Sequence, residues 1–121
     1  MQTPLNLAML LFADVELLDF CGPFEVFSTA NRQLQTPAFN AYRVADSESP
    51  VRTHNGICVV PQYRLSDCPE TEIILIPGGI GTRNEIDNDR VIDWIRSRAA
   101  AADLVLSVCT GALLLGKAGV L

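Results

Sequence analysis

Residues 104–118 read LVLSVCTGALLLGKA: a short apolar stretch, one cysteine, and a second apolar stretch that opens with small residues. Residues 104–108 have the composition of a strand buried in a sheet, and residues 111–118 that of a short apolar helix. Cys109 lies between the two, and Gly111 permits a sharp turn there. A strand, a nucleophilic residue and a helix in direct succession are typical of a nucleophile elbow, which presents its reactive side chain at the end of a sheet.

The position of Cys109 predicts its chemistry. The first turn of a helix has unpaired N–H groups and the positive end of the helix dipole, both of which favour a thiolate. The thiolate is the nucleophilic form of cysteine. The alternative is a cysteine buried in the core at the end of a strand, since cysteine is often fully buried.

The remaining pattern predicts the fold class. Residues 6–12 (NLAMLLF) and 72–76 (EIILI) have the composition of further buried strands, with minor strands at 40–45 and, near the sheet edge, at 57–61. Helices are predicted over 89–102 and over 15–32, the latter with a broad apolar stripe. Gly22-Pro23 should interrupt this helix, since proline either starts a new helix there or kinks one. The order β–α–β–β–α–β–α predicts an α/β domain with a mostly parallel sheet between helices.

Two glycines follow the central strand, in Ile76-Pro77-Gly78-Gly79. Ligands of open α/β sheets bind at the carboxyl ends of the strands. Glycine lets the backbone approach a ligand and offers its N–H groups to developing negative charge. The alternative is a plain turn, and the presence of Cys109 leaves the two interpretations open.

Asp19 is the acidic residue of the apolar segment 17–23. Its Leu and Phe neighbours would desolvate the carboxyl group, which suits a proton donor or shuttle. The alternatives are an N-cap for a helix starting at Pro23, or an exposed side chain beside a buried face. His54 lies in a turn-like segment and is interpreted as a surface residue.

Composition excludes several classes of function. The net charge of −5 and a pI of about 4.6 disfavour direct contact with nucleic acid. The longest apolar run, 7–13, is too short to cross a bilayer. The start of the chain has no basic region typical of a signal peptide, so a cytoplasmic location is expected. Four scattered cysteines and one histidine predict no metal site. Cys21, Cys58 and Cys68 are interpreted as packing residues or bystanders.

Three segments together resemble the ThiJ/PfpI superfamily: LLFADVELLDFCGPFEVF (10–27), ILIPGGIGTR (74–83) and SVCTGALLLGKAGVL (107–121). This family shares the class I glutamine amidotransferase-like fold, a flavodoxin-like sandwich. Within it the chain is similar to isonitrile hydratase and to the N-terminal domain of AraC-type regulators. Thr110 occupies the position where the family's peptidases have histidine, which disfavours peptidase activity.

The resemblance implies a site and a reaction. Cys109 would be the nucleophile, Asp19 the neighbouring acid, and Thr110 would support an intermediate or orient the acid. Gly78 and Gly79 would supply backbone amides to the substrate. The implied enzyme is a lyase that hydrates a small-molecule isonitrile to an N-substituted formamide, with no cofactor and as a homodimer.

The resemblance also leaves alternatives and sets an expectation for domain length. A sensing domain of a transcriptional regulator, a glyoxalase- or deglycase-like enzyme, and a redox-stress protein remain open. The family domain is longer than this chain, so residues 1–121 are expected to form its N-terminal part, with the C-terminal part missing.

Overall fold

The computed structural model describes residues 3–121. Strands β1 to β7 span Leu5–Leu10, Phe39–Ala45, Val51–Arg52, Cys58–Val59, Tyr63–Arg64, Ile73–Ile76 and Leu104–Ser107. Helices α1 to α4 span Leu17–Leu34, Thr82–Glu85, Asp89–Ala101 and Gly111–Lys117. The predicted α/β class is confirmed.

Five strands form one sheet in the order β5-β2-β1-β6-β7, and every neighbouring pair is parallel. The chain passes from β1 to β2 on one side of the sheet and later returns to β6 on the other side of β1. The strand order therefore reverses between β1 and β6. In open parallel sheets, the crevice at such a reversal is where ligands bind.

The core is centred on β1 and β6. The last four residues of β1 and all four residues of β6 are buried. Both strands have a hydrogen-bonded neighbour on each side, which explains why their sequences are continuously apolar. Helix α3 adds Val91, Ile92, Trp94 and Ile95 to this core.

Strand β7 corrects one prediction. Its apolar sequence predicted a buried strand, but Leu104 is 47% exposed and Val105 and Leu106 are only partly buried. Among the residues described, β7 is an edge strand with β6 as its neighbour. The apolar composition was read correctly as a strand, while burial depends on what covers it.

Helix α1 is one continuous element with Pro23 in its interior. Of the two outcomes predicted for Gly22-Pro23, the start of a new helix is therefore wrong. Pro23 is the seventh residue of the helix, where proline removes one intrahelical hydrogen bond and crowds the preceding turn, yet the helix continues through it. The broad apolar stripe is buried only in part: Phe20 is buried, whereas Leu18 and Val26 are 71% and 65% exposed.

The strand predicted at 57–61 forms elsewhere than expected. Cys58–Val59 pairs antiparallel with Val51–Arg52 in a separate two-stranded sheet, not at the edge of the main one. Tyr63–Arg64 takes that edge beside β2. None of the helices over residues 3–121 has the length and hydropathy needed to cross a membrane.

Candidate active site at Cys109

Cys109 sits on the turn between β7 and α4, as the elbow pattern predicts. Its φ of 52° lies in the left-handed region, which residues with a side chain seldom adopt. Its side chain is exposed. The alternative of a buried core cysteine is therefore excluded in this structure. The backbone strain is the geometric mark of a nucleophile elbow.

The elbow packs directly on the end of β6. A Cβ atom at Gly111 would collide with the carbonyl oxygen of Ile76 and lie 2.8 Å from that of Pro77. The Val108 N–H also donates to the Ile76 carbonyl, at 3.0 Å. Glycine is needed at 111 because two backbones approach each other there, in addition to the small size that the turn requires.

The two glycines after β6 connect the three segments of the site. The Gly78 N–H donates to Asp19 Oδ2 at 3.0 Å, and the Gly79 N–H donates to Thr110 Oγ1 at 2.9 Å. A Cβ atom at Gly78 would lie 2.7 Å from Thr110 Oγ1. Both amides are thus engaged by protein side chains. Their predicted contact with substrate stays a prediction.

Asp19 is placed by the start of α1. It lies in the first turn of this helix, is partly buried, and points its carboxylate at the Gly78 amide. Glu16 occupies the N-cap position of the helix, and its backbone N–H donates to the Gly78 carbonyl at 2.9 Å. Because the helix begins at Leu17, the alternative of Asp19 as an N-cap for a helix at Pro23 is wrong.

These segments enclose a cleft of about 270 Å³ at the carboxyl ends of β1, β6 and β7, beside the strand-order reversal. It is lined by Glu16, Asp19, Gly79, Ile80, Thr82, Arg83, Cys109, Thr110 and Leu113. The structure thus brings Cys109, Asp19, Thr110 and Gly79 to one cavity, while Gly78 is buried behind it.

Sequence reasoning missed five lining residues: Glu16, Ile80, Thr82, Arg83 and Leu113. Each lies within four positions of a residue that the motifs identified. Leu113 follows Cys109 by one helical turn, and Ile80 follows Gly79 directly. Proximity to the motifs was the signal that could have found them, since positions four apart share a helix face.

The other singled-out residues lie elsewhere. His54 is exposed, as predicted. Cys68 is buried and packs against Tyr42, whereas Cys21 and Cys58 are exposed and line a separate cavity of about 350 Å³. Of the two roles predicted for these cysteines, packing fits Cys68 and not Cys21 or Cys58, which leaves the last two as bystanders. Partial burial raises the pKa of the Cys21 thiol.

A further cavity of about 340 Å³ lies on the other side of α2, near Asp46, Glu85 and Asn88. Hydrogen bonds from Arg90 hold the pKa of Asp46 below its usual value. Burial raises the pKa of Glu85, which accepts a hydrogen bond from Asn88 at 3.2 Å. No cysteine lines this cavity, and its charged lining residues are Asp46, Arg52 and Glu85.

Comparison with known proteins places these features in a family. The profile of the DJ-1/PfpI family matches residues 6–121. Isonitrile hydratase from Pseudomonas putida is 37% identical over 117 residues, which are 97% of this chain and 49% of that enzyme. The HTH-type transcriptional regulator GbdR of Pseudomonas aeruginosa is 20% identical over 99% of this chain and 32% of that protein.

Solved structures agree with the fold. A ThiJ/PfpI family protein from Pseudomonas syringae superimposes with a TM-score of 0.89 at 30% identity, covering 98% of this chain and 48% of that one. The chain thus spans about half the length of both the isonitrile hydratase and this structure. The parallel sheet and elbow described above are the part that they share.

Proposed function

This chain belongs to the DJ-1/PfpI family, and on that premise we propose that it acts as a cysteine-dependent isonitrile hydratase. The observation that carries the proposal is the exposed, strained Cys109 in one cleft with Asp19. Similarity to the Pseudomonas putida isonitrile hydratase supports the choice of reaction. The overall reaction adds water to R–N≡C and yields the formamide R–NH–CHO.

The first step forms a covalent intermediate. The Cys109 thiolate bonds to the terminal carbon of the isonitrile, whose electron pair then takes a proton from Asp19. The product is a thioimidate, R–N=CH–S, attached to Cys109. The carboxylate of Asp19 remains, held by the Gly78 N–H at 3.0 Å.

The second step releases the product. Water adds to the thioimidate carbon as Asp19 takes one proton from it and passes that proton to the nitrogen. The C–S bond then breaks, the thiolate is regenerated, and the hydroxyl proton passes to the Asp19 carboxylate as the formamide carbonyl forms, which restores the acid for the next turnover. One carboxyl group thus serves as acid and then as base, as in other two-step covalent mechanisms.

Thr110, Gly78 and Gly79 act in this scheme by positioning. Thr110 fixes the elbow relative to the glycine loop through its bond to the Gly79 N–H. Gly78 fixes the carboxylate of Asp19. If the intermediate needs backbone donors, Gly79 is the glycine that lines the cleft and Thr110 would have to release its amide.

The test is formamide production. We expect this chain to convert pentyl isonitrile to N-pentylformamide, measured by NMR, and Cys109→Ala to abolish the activity. Asp19→Asn keeps an oxygen to accept from Gly78 and should lower kcat by about 10²–10⁴-fold through loss of proton transfer. Cys21→Ala and Cys58→Ala, which remove exposed thiols outside the cleft, are the matched controls.

Two results would refute the proposal. The first is the absence of formamide with the wild-type chain. The second is full activity of Cys109→Ala. If, instead of turnover, mass spectrometry shows Cys109 converted to sulfenic or sulfinic acid at low peroxide, a redox role replaces the enzymatic one.

A second candidate is a ligand-sensing domain of a transcriptional regulator. The similarity to GbdR over 99% of this chain favours it. In that case the cleft would bind its small molecule without turnover. A coding sequence that continues beyond Leu121 into a helix-turn-helix segment, together with an inactive Cys109, would support this function over the first.

Homodimerisation is part of the proposal. Leu18 and Val26 stand eight residues apart on α1 and are 71% and 65% exposed, an apolar face of the kind that subunits cover. We expect a dimer in sedimentation velocity and a shift to monomer in Val26→Glu. A monomeric wild-type chain would contradict this assignment.

A further inference from the structure

Two exposed apolar side chains line the Cys109 cleft. Ile80 follows the glycine loop after β6 and is 50% exposed, and Leu113 lies on α4 and is 51% exposed. Of the large apolar side chains that are exposed between residues 3 and 121, these two line the cleft. Leu113 lies in the first turn of α4, directly after the elbow, and lines the same cleft as Cys109.

The polar side chains of the cleft are largely engaged within the protein. Asp19 accepts from the Gly78 N–H, and Thr110 accepts from the Gly79 N–H. The Thr82 hydroxyl donates to the Gly79 carbonyl at 2.8 Å. Because these groups are already hydrogen-bonded within the protein, they offer few hydrogen bonds to the part of a substrate that does not react.

Two further charged residues line the cleft, and they carry opposite charges. Glu16 and Arg83 both line the cleft and both are exposed. Exposed charges are hydrated and contribute weakly to binding, and a negative and a positive group together select neither sign of charge. The selective surface that remains is the apolar one.

We propose that Ile80 and Leu113 determine specificity by holding the N-substituent of the isonitrile, and that the preferred substrates carry a small, uncharged alkyl group. This inference rests on the proposed function and names the substrate class for the same site. A cleft of about 270 Å³ lies just below the usual range of roughly 300–1,000 Å³ for drug-sized ligands. This volume fits a small alkyl substituent, and a larger one would extend out of the cleft into solvent.

The experiment compares three isonitriles that share the reacting group. If Ile80 and Leu113 hold the substituent, pentyl isonitrile should contact them and methyl isonitrile should not. Ethoxyethyl isonitrile replaces the central methylene of the pentyl chain by oxygen. We expect kcat/KM to be at least about 10-fold higher for pentyl than for ethoxyethyl isonitrile. Ile80→Ala and Leu113→Ala should each lower kcat/KM for pentyl isonitrile about 10-fold and leave methyl isonitrile within twofold.

Leu104→Ala is the matched control, since Leu104 is 47% exposed and lies at the opposite end of β7. It should leave all three substrates unchanged. Formamide production with equal losses for methyl and pentyl isonitrile in the Ile80 and Leu113 variants would overturn the inference and leave the proposed function standing. The absence of formamide from the wild-type chain would remove both.

A second readout needs no turnover. Mass spectrometry can follow alkylation of Cys109 by N-cyclohexylmaleimide and by N-methylmaleimide. If Ile80 and Leu113 hold apolar groups, both alanine variants should slow the cyclohexyl reagent several-fold and leave the methyl reagent unchanged. Equal rates for both reagents in wild type and variants would overturn the inference independently of any isonitrile chemistry.

Discussion

The left-handed backbone of Cys109 predicts that removing its side chain will stabilise the protein. The φ of 52° forces the Cβ atom towards the following carbonyl, a conformation that glycine adopts freely. Cys109→Gly should therefore be more stable than the wild type. Cys109→Ala retains the Cβ atom and should keep the strain.

The magnitude follows from two opposing contributions. A Cβ atom in the left-handed region costs about 1–2 kcal/mol, and the extra freedom of glycine in the unfolded chain costs about 0.5–1 kcal/mol. The difference between the two ranges is about 0–1.5 kcal/mol, and the difference between their mid-points is a net stabilisation of about 0.75 kcal/mol. With an unfolding entropy of about 2.1 cal/mol/K per residue, a chain of 121 residues should show a Tm raised by about 2–4 °C.

The assay is urea and thermal unfolding followed by circular dichroism, with Cys21→Gly as the control. Cys21 is also exposed but lies inside helix α1, where the same substitution should destabilise by about 0.3 kcal/mol, the difference between the helix propensities of cysteine and glycine. The sign should thus differ between the two sites. If Cys109→Gly is no more stable than Cys109→Ala, the elbow is not strained and the geometric argument for a dedicated nucleophile fails.

Three further predictions concern the surroundings of the cysteine. Gly111→Ala should destabilise the protein by about 2–3 kcal/mol or prevent folding, because its Cβ atom would meet backbone oxygens. In the same helix, a Cβ atom at Gly116 meets nothing within 4 Å, so Gly116→Ala should stabilise by about 0.5–1 kcal/mol. Urea unfolding measures both, and similar effects of the two substitutions would contradict the packing described. Thr110→Val removes the acceptor of the Gly79 N–H, so it should lower the free energy of unfolding by about 1–3 kcal/mol and speed hydrogen exchange of the Gly79 amide. Thr110→Ser keeps the hydroxyl and should retain both the stability and the slow exchange. Unchanged exchange in the valine variant would show that the bond is unimportant. Burial raises the pKa of Glu85, so the free energy of unfolding should fall as the pH rises from about 4.5 through the pKa of the folded state. Glu85→Gln should remove this fall. The same pH profile in the variant as in the wild type would refute the prediction.

The amino-acid sequence by itself determined the strands of the core and the elbow. Residues 6–12 and 72–76 are apolar at every position or nearly so, because strands with neighbours on both sides must be apolar on both faces. The strand–cysteine–helix order at 104–118 is local, so the turn at Cys109 could be read from neighbouring residues alone.

Interpretation failed where the outcome depended on distant packing. Leu104 belongs to a strand as predicted, yet it is exposed because β7 is an edge among the described strands. The strand at 57–61 does not take the edge of the main sheet, because Tyr63–Arg64 pairs with β2 there, and it forms a hairpin with residues 51–52 instead. Helix α1 continues through Pro23 because Phe20 before it and Phe24 and Phe27 after it pack on the core, which offsets the hydrogen bond that proline removes.

The site itself shows the same division. Sequence motifs named Cys109, Asp19, Thr110 and the two glycines as candidates, while the fold decided which of them meet. The bond from Gly78 to Asp19 joins residues 59 positions apart, and that from Gly79 to Thr110 joins residues 31 apart. Hydrogen bonds over such separations form only when the parallel strands align their carboxyl ends at one edge, and for that reason the cleft and its apolar walls belong to the tertiary structure.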